Sequence, residues 1–238
     1  YTAMCKPISG IILKDEILFS QITHSHTEIL AEYKIEDTEA NAKRLFVRAE
    51  LSPRNGDMFS DVDGWQFNVD QDIAPEWFVK DYEETRMREA VKKYVAEHVH
   101  IGKTGLRLSS GMHWIKDCKG VVLSGAAQVE ELISSTVRTM WDSSTVSTMR
   151  DSSTVSTMWD SSTVRTMRDS STVSTMWGSS TAMIPNDCYA KNVDASKITL
   201  CQNATIKDCR TKTLYQCGDW TLVEVESGKG AVISGSNQ

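Results

Sequence analysis

The sequence predicts an α+β domain over residues 1–107 followed by a parallel β-solenoid over 108–238, and three observations carry that reading. A nine-residue unit recurs six times from Leu132, as LISSTVRTM, WDSSTVSTM, RDSSTVSTM, WDSSTVRTM, RDSSTVSTM and WGSSTAMIP, so residues 132–184 form the regular part of an array. The unit is built from Ser, Thr and Val, which favour strands, whereas helical repeats run to about 30 residues or more and favour Ala, Leu, Glu and Lys. Upstream of the array the composition is that of an ordinary globular domain, with apolar residues at both strand and helix spacing.

Within the first domain, residues 10–20 read as a β-hairpin turning at Lys14 to Glu16, and 45–51 and 65–69 alternate as strands. Ser25 or Thr27 is placed to cap a short helix running to Tyr33. Pro75 is placed as the first residue of a long helix whose apolar stripe would be Trp77, Phe78, Tyr82, Met87, Val91, Tyr94, Val95 and Val99.

In the array, the first position of the unit alternates Trp141, Arg150, Trp159, Arg168, Trp177, so the true period is 18 and two nonapeptides make one coil. Strand alternation sends Thr145 and Ser147 outward and Ser144 and Val146 inward, with Met149 filling the core after a bend. Degenerate copies extend the array in both directions. GAAQVEEL (125–132) places Val129 and Leu132 on the Val and Met columns, and HWIKDC (113–118) places Ile115 and Cys118 there. Downstream, Ile198, Ile206 and Leu214 align with Val, and Cys201, Cys209 and Cys217 with Met, as reduced core thiols; Leu222 and Val225 follow.

The alternation sets all the tryptophans on one edge of the coil and all the arginines on the other, so Trp141, Trp159 and Trp177 form a column with Arg150 and Arg168 opposite. These five residues are the candidate partner-binding positions. Neighbouring aspartates are placed to neutralise an arginine on an adjacent coil.

With 26 Lys and Arg against 32 Asp and Glu, the chain carries a net charge of −6, which argues against a nucleic-acid binder held by counterion release. No apolar run approaches the roughly 18 residues of a membrane span. The six cysteines form no C-x-x-C pair, which argues against a zinc ribbon or thioredoxin-type site. Residues 1–12 lack a basic segment followed by an apolar one, so a cytoplasmic location in a bacterial host, or a virion-associated one, is expected.

Motifs for chemistry are weak. His24 with His26 and His98 with His100 form His-x-His pairs, but each lies at a helix end, where a cation also suits the helix dipole, and no metal is expected. Gly102-Lys103-Thr104 lacks the earlier glycine of a phosphate loop, and Asp61-Val62-Asp63-Gly64 reads as a turn rather than a calcium loop. An enzymatic site would have to lie around Trp65, Asp70, Asp72 and Trp77; no catalytic residue and no cofactor is assigned, and a non-enzymatic protein is expected.

The nonads, with their GAAQVEEL and QNATIKDC (202–209) variants, resemble the arrays of repeat-rich β-solenoid proteins of bacteria and bacteriophages that stand beside the pentapeptide-repeat proteins. WQFNVDQDIAPEWF (65–78), followed by a long helix and WIKDC (114–118), resembles the globular domain that precedes such arrays. The unit here is nine residues and not five, so the square pentapeptide coil does not carry over. The resemblance implies a structural or protein-interaction solenoid with an unknown protein partner. The alternative is an ice-binding or ice-nucleating solenoid using Thr and Ser ladders, which Arg138 and Arg165 interrupt. Mimicry of DNA toward topoisomerases, the known mode of pentapeptide-repeat proteins, needs an acidic surface that 13 acids against 12 bases beyond residue 112 do not supply. Finally, the apolar segments around Trp220 to Val225 and Ala231 to Ile233, with no helix after them, lead to the expectation of a homodimer through the C-terminal coil.

Overall fold

The computed structural model describes residues 7–178 and 180–184, together with strand segments at 189–193, 197–200, 205–208, 214–216, 222–226 and 230–234. The chain divides into two compact units, Tyr1–Val99 and His100–Gln238. The junction thus falls eight residues ahead of 107/108, because Gly102 and Gly105 already donate to Lys116 and Lys119 across the first solenoid coil.

In the first unit the described elements are β1 (Ile8–Leu13), β2 (Ile17–Leu18), α1 (His26–Glu32), α2 (Glu39–Ala42), β3 (Phe46–Ser52), β4 (Gln66–Val69) and α3 (Lys80–His98). The strands form an antiparallel sheet in the order β2-β1-β3-β4. The hairpin turns where expected, with Leu13 N–H donating to Glu16 O at 2.8 Å. Ser25 caps α1 by accepting from the Glu28 amide. On one sheet face Ile11, Leu18 and Phe46 pack against Ile29 and Leu30 of α1 and Ala42 of α2. On the opposite face α3 approaches so closely at Gly10 that a Cβ there would stand 2.9 Å from Met87 Cε.

The long helix begins at Lys80 and not at Pro75. Pro75 closes a single turn, with Phe78 N–H donating to its carbonyl, and Val79 is then extended (φ −116, ψ 109), which interrupts the helical ladder. The buried stripe is accordingly Glu83, Met87, Val91, Tyr94 and His98, while Tyr82 is exposed and Trp77 donates its indole N–H to Arg44 O. Glu83 can be buried because Arg86 pairs with it at 2.7 Å and also donates to Lys14 O at 3.1 Å.

The second unit runs through β5 (Val99–Ile101), β6 (Arg107–Leu108), β7 (Met112–Lys116), β8 (Val121–Leu123), β9 (Gln128–Ile133), β10 (Thr136–Met140), β11 (Thr145–Arg150), β12 (Thr154–Met158), β13 (Thr163–Met167), β14 (Thr172–Met176), β15 (Thr181–Ile184), β16 (Tyr189–Val193), β17 (Lys197–Leu200) and β18 (Thr205–Asp208). Odd-numbered strands form one sheet and even-numbered strands the other, so the chain winds as a two-sheeted parallel β-solenoid. In the regular repeats the register is 18 residues, as in Thr136 with Thr154 and Thr145 with Thr163. The degenerate coils are shorter, at 17 for Gln128 with Thr145 and 16 for both Met112 with Gln128 and Thr181 with Lys197.

Inside, Val137, Val146, Val155, Val164 and Val173 and Met140, Met149, Met158, Met167 and Met176 form one continuous buried cluster. Val and Met are three residues apart, an odd separation that a flat pleat would send to opposite faces. The strand therefore bends between them. Ser147 and Thr148 are successive outward residues, and the register between β11 and β13 passes over Ser147.

Two sequence alignments shift. His113 pairs with Val129 and Ile115 with Leu132, so His113 takes the Val column and Ile115 the Met column. Cys118 instead takes the buried serine column, its amide bonding Ser135 Oγ at 3.0 Å. At the other end the parallel pairing stops. Lys207 pairs with Leu214 of β19 (Leu214–Gln216), and Ile198 with Val223 of β20 (Leu222–Glu226), in antiparallel ladders, with β21 (Gly230–Ser234) folding back on β20. Leu214, Leu222 and Val225 are thus not on the parallel columns. The two segments behind the dimer expectation, at 222–226 and 230–234, pair with each other, and the edges of β17 and β18 are paired by β20 and β19. Cys201, Cys209 and Cys217 lie outside the described residues.

Candidate functional site

The repeated tetrapeptide Asp-Ser-Ser-Thr makes four successive turns of the regular array, beginning at Asp142, Asp151, Asp160 and Asp169, yet it folds in two ways. After Arg150, Asp151 and Ser152 both have positive φ (55° and 61°), the signature of a type I′ turn, and Ser153 N–H closes it onto Arg150 O. After Trp141 only Asp142 does (φ 55°), the signature of type II′, closed by Ser144 N–H on Trp141 O. The hydrogen bonds between coils reverse accordingly. Ser161 donates back to Asp142 O on the preceding coil, whereas Ser152 donates forward to Asp169 O on the following one.

The type II′ edge carries the tryptophans. Each follows an even-numbered strand, and the register of those strands stacks the rings, with centroids 6.4 Å apart between Trp141 and Trp159 and 5.6 Å between Trp159 and Trp177. Trp141 is 47% and Trp159 40% exposed, beside Val and Met columns that are almost wholly buried. Beneath the rings an aspartate ladder ties the coils together: Asp160 Oδ2 accepts from the Asp142 amide at 3.4 Å, and Asp142 Oδ2 from the Gly125 amide at 2.9 Å. Next to Trp141 an open groove of about 390 Å³ is lined by Arg107, Val122, Ser124, Arg138, Thr139 and Asp142. At its first coil this edge sets the exposed Trp141 ring in a groove shared with two arginines.

The arginines lie on the opposite edge. Arg150 pairs with Glu131 of the neighbouring coil (3.6 Å) and with its own Asp151 (3.9 Å), so the neighbour that neutralises it is a glutamate and not the expected aspartate. Arg168 is exposed. The structure therefore brings the three tryptophans together and keeps Arg150 and Arg168 apart from them. Arg107 and Arg138, which share the groove with Trp141, were not candidates in the sequence, because their proximity depends on the register of β6, β8 and β10.

Of the residues considered for catalysis, the two tryptophans are each held by partners outside the group and the two aspartates line one cavity. Trp65 is buried with its indole on Ser60 Oγ and its carbonyl on Arg88, while Trp77 is held by Arg44. Asp70 and Asp72 line a shallow cavity of about 530 Å³ with Asp37 and Arg48. The His-x-His pairs are also split: His24 meets Tyr94 edge-on, whereas His26 turns to Asp70. Asp61 accepts from the Asp63 amide in a short 3₁₀ turn, as turn chemistry requires. His100 bonds His113 at 3.2 Å, and Lys103 Nζ stands 3.2 Å from His100 Nδ1.

No family model matches the chain, and comparisons with curated proteins and with solved structures return no match. The fold defines the protein as a two-sheeted parallel β-solenoid with an N-terminal α+β unit. Among the described residues no helix is long and apolar enough to cross a membrane.

Proposed function

We propose that the solenoid is a non-enzymatic binding scaffold whose tryptophan edge docks a protein partner. The observation that carries this reading is the exposure of the stacked Trp141 and Trp159, with Arg107 and Arg138 in the groove at Trp141. Exposed aromatic rings flanked by arginine are the side chains that dominate binding energy at protein interfaces. The parallel ladders hold this row at fixed spacing, so little side-chain entropy remains to be lost on docking. The partner surface that complements the edge is apolar with acidic flanks.

The test compares capture of partners from bacterial lysate by the full chain and by the Trp141→Ala/Trp159→Ala variant. A partner held through this edge is captured by the first and lost from the second, and Arg138→Glu weakens the same partner. Trp159→Ala should cost less than about 3 kcal/mol in a urea melt, the low end for truncating a buried Trp. Equal capture by parent and variant, with both folded, would refute the edge as the docking surface.

A further inference from the structure

We propose that His26, Glu50 and Asp70 in the first unit form a binding site for a divalent transition-metal cation. Each offers one ligand atom, and the three atoms lie within 4.8 Å of one another. Ligands on one tetrahedral Zn²⁺, at about 2.0–2.2 Å from the ion, stand about 3.4 Å apart, so small side-chain rotations close the set.

The backbone sets these positions firmly. His26 is the first residue of α1, behind the Ser25 cap. Glu50 sits within β3, paired with Ser9 on one side and Asn68 on the other. Asp70 follows β4 directly, its amide donating to Arg48 O at 2.9 Å.

The carrying observation is the orientation of the His26 ring, which is more than nine-tenths buried. Its Nε2 lies 3.1 Å from Ala49 O, an acceptor outside the cluster, so Nε2 carries the hydrogen. In the neutral ring Nδ1 then bears a lone pair, and that lone pair faces Asp70 Oδ2 at 3.2 Å. Two lone pairs do not attract, so a cation belongs between them: either a second proton on the ring or a metal ion. A histidine that gives one N–H to a backbone carbonyl and aims the other nitrogen at carboxylates has the arrangement that orients metal-ligating imidazoles.

The surroundings favour the metal. The Ser9 hydroxyl donates to Glu50 Oε1 at 3.4 Å, the kind of outer hydrogen bond that steadies a ligating carboxylate. Arg48, on the same strand as Glu50, is drawn away by Asp37 and lies over the Phe46 ring. Among the described residues, therefore, neither Glu50 nor Asp70 has a Lys or Arg partner. Asp70 is 65% exposed, which leaves an entry path and an open coordination position. One imidazole nitrogen with two carboxylate oxygens suits Zn²⁺ and its first-row neighbours better than Ca²⁺ or Mg²⁺.

The experiment titrates Zn²⁺ into the chelator-treated full chain by calorimetry at neutral pH, with Mg²⁺ in parallel. Asp70→Asn, at an exposed position, tests a ligand without endangering the fold, and Asp72→Asn controls for diffuse attraction by nearby acids. One equivalent of Zn²⁺ should bind with a rise in melting temperature, Asp70→Asn should weaken it at least tenfold, and Asp72→Asn should leave it unchanged. The ¹⁵N resonance of His26 Nδ1 should move on Zn²⁺ addition while Nε2 keeps its proton. Absence of saturable binding, equal weakening by the two variants, or binding of Mg²⁺ as tight as Zn²⁺ would overturn the proposal in favour of a protonated ion pair.

Discussion

Ser153 Oγ lies 3.2 Å from the backbone nitrogen of Ser135, one coil back, and accepts its hydrogen while also standing 2.7 Å from Arg150 O and 3.0 Å from Leu132 O. This buried hydroxyl is fully used. Its counterparts on the tryptophan edge, Ser144 and Ser162, are equally buried, yet their hydroxyls have no partner among the described residues. Ser153→Ala should therefore lower stability by about 1–3 kcal/mol, since it orphans the Ser135 amide. Ser144→Ala should be neutral within about 0.5 kcal/mol or stabilising. Urea midpoints of the two variants check the difference, and equal losses would contradict it.

Val155 is wholly buried and Ser156, its neighbour, is partly exposed. Val155→Asp should unfold or aggregate the chain, because an unpaired buried charge costs several kcal/mol. Ser156→Asp should melt close to the parent. Thermal melts of the pair that coincide would show the inside and outside faces to be wrongly assigned.

Gly178 stands where Asp142 and Asp160 stand in earlier coils, with φ at 68°, and a Cβ there would meet the Asp160 amide nitrogen at 3.1 Å. Gly178→Ala should cost about 1–2 kcal/mol, the penalty for an ordinary residue in the left-handed region. Gly178→Asp should recover about 1 kcal/mol of that loss, because Asp tolerates this conformation and its carboxylate would accept the Asp160 amide as a third rung of the ladder. Denaturation of the two variants side by side measures the gap.

Burial raises the Tyr94 phenol well above its ordinary value of 10.0, with Phe19 and His98 against the ring and Ser20 O accepting its hydroxyl. Above pH 10 the unfolded chain releases this proton and the folded chain keeps it. Stability should then fall as pH rises, by up to about 1.4 kcal/mol per unit from this one group. Tyr94→Phe should lessen the slope between pH 10 and 11, as followed by urea midpoints.

The solenoid was legible because strict repetition makes register visible: Val129 and Leu132 joined the Val and Met columns as expected. Legibility failed where the repeat length changed. Cys118 sits opposite Ser135, 17 residues on, because the coil slips from a register of 16 to 17 after His113, and the sequence alignment therefore set it on the Met column. The two turn types were invisible, since Asp-Ser-Ser-Thr is common to both edges and only the preceding Trp or Arg differs. The helix start was missed because Pro75 is suited to a first turn, and only Val79's extended backbone shows that the turn does not continue. The His26, Glu50 and Asp70 grouping spans three elements, and no spacing in one dimension encodes it.

Because the two edges differ in turn geometry while the core columns are the same at every ninth residue, the array has a smallest unit of heritable length change, and it is 18 residues rather than nine. Loss of a single nonad from the middle would leave Val over Val and Met over Met. It would also carry every later tryptophan to the arginine side, asking a type I′ turn to hold a residue seated on type II′ and breaking the column in two. Gene duplication and slippage within this tract conserve the Trp edge only when they proceed by whole coils, so the alternation of Trp and Arg acts as a reading frame for the protein's surface.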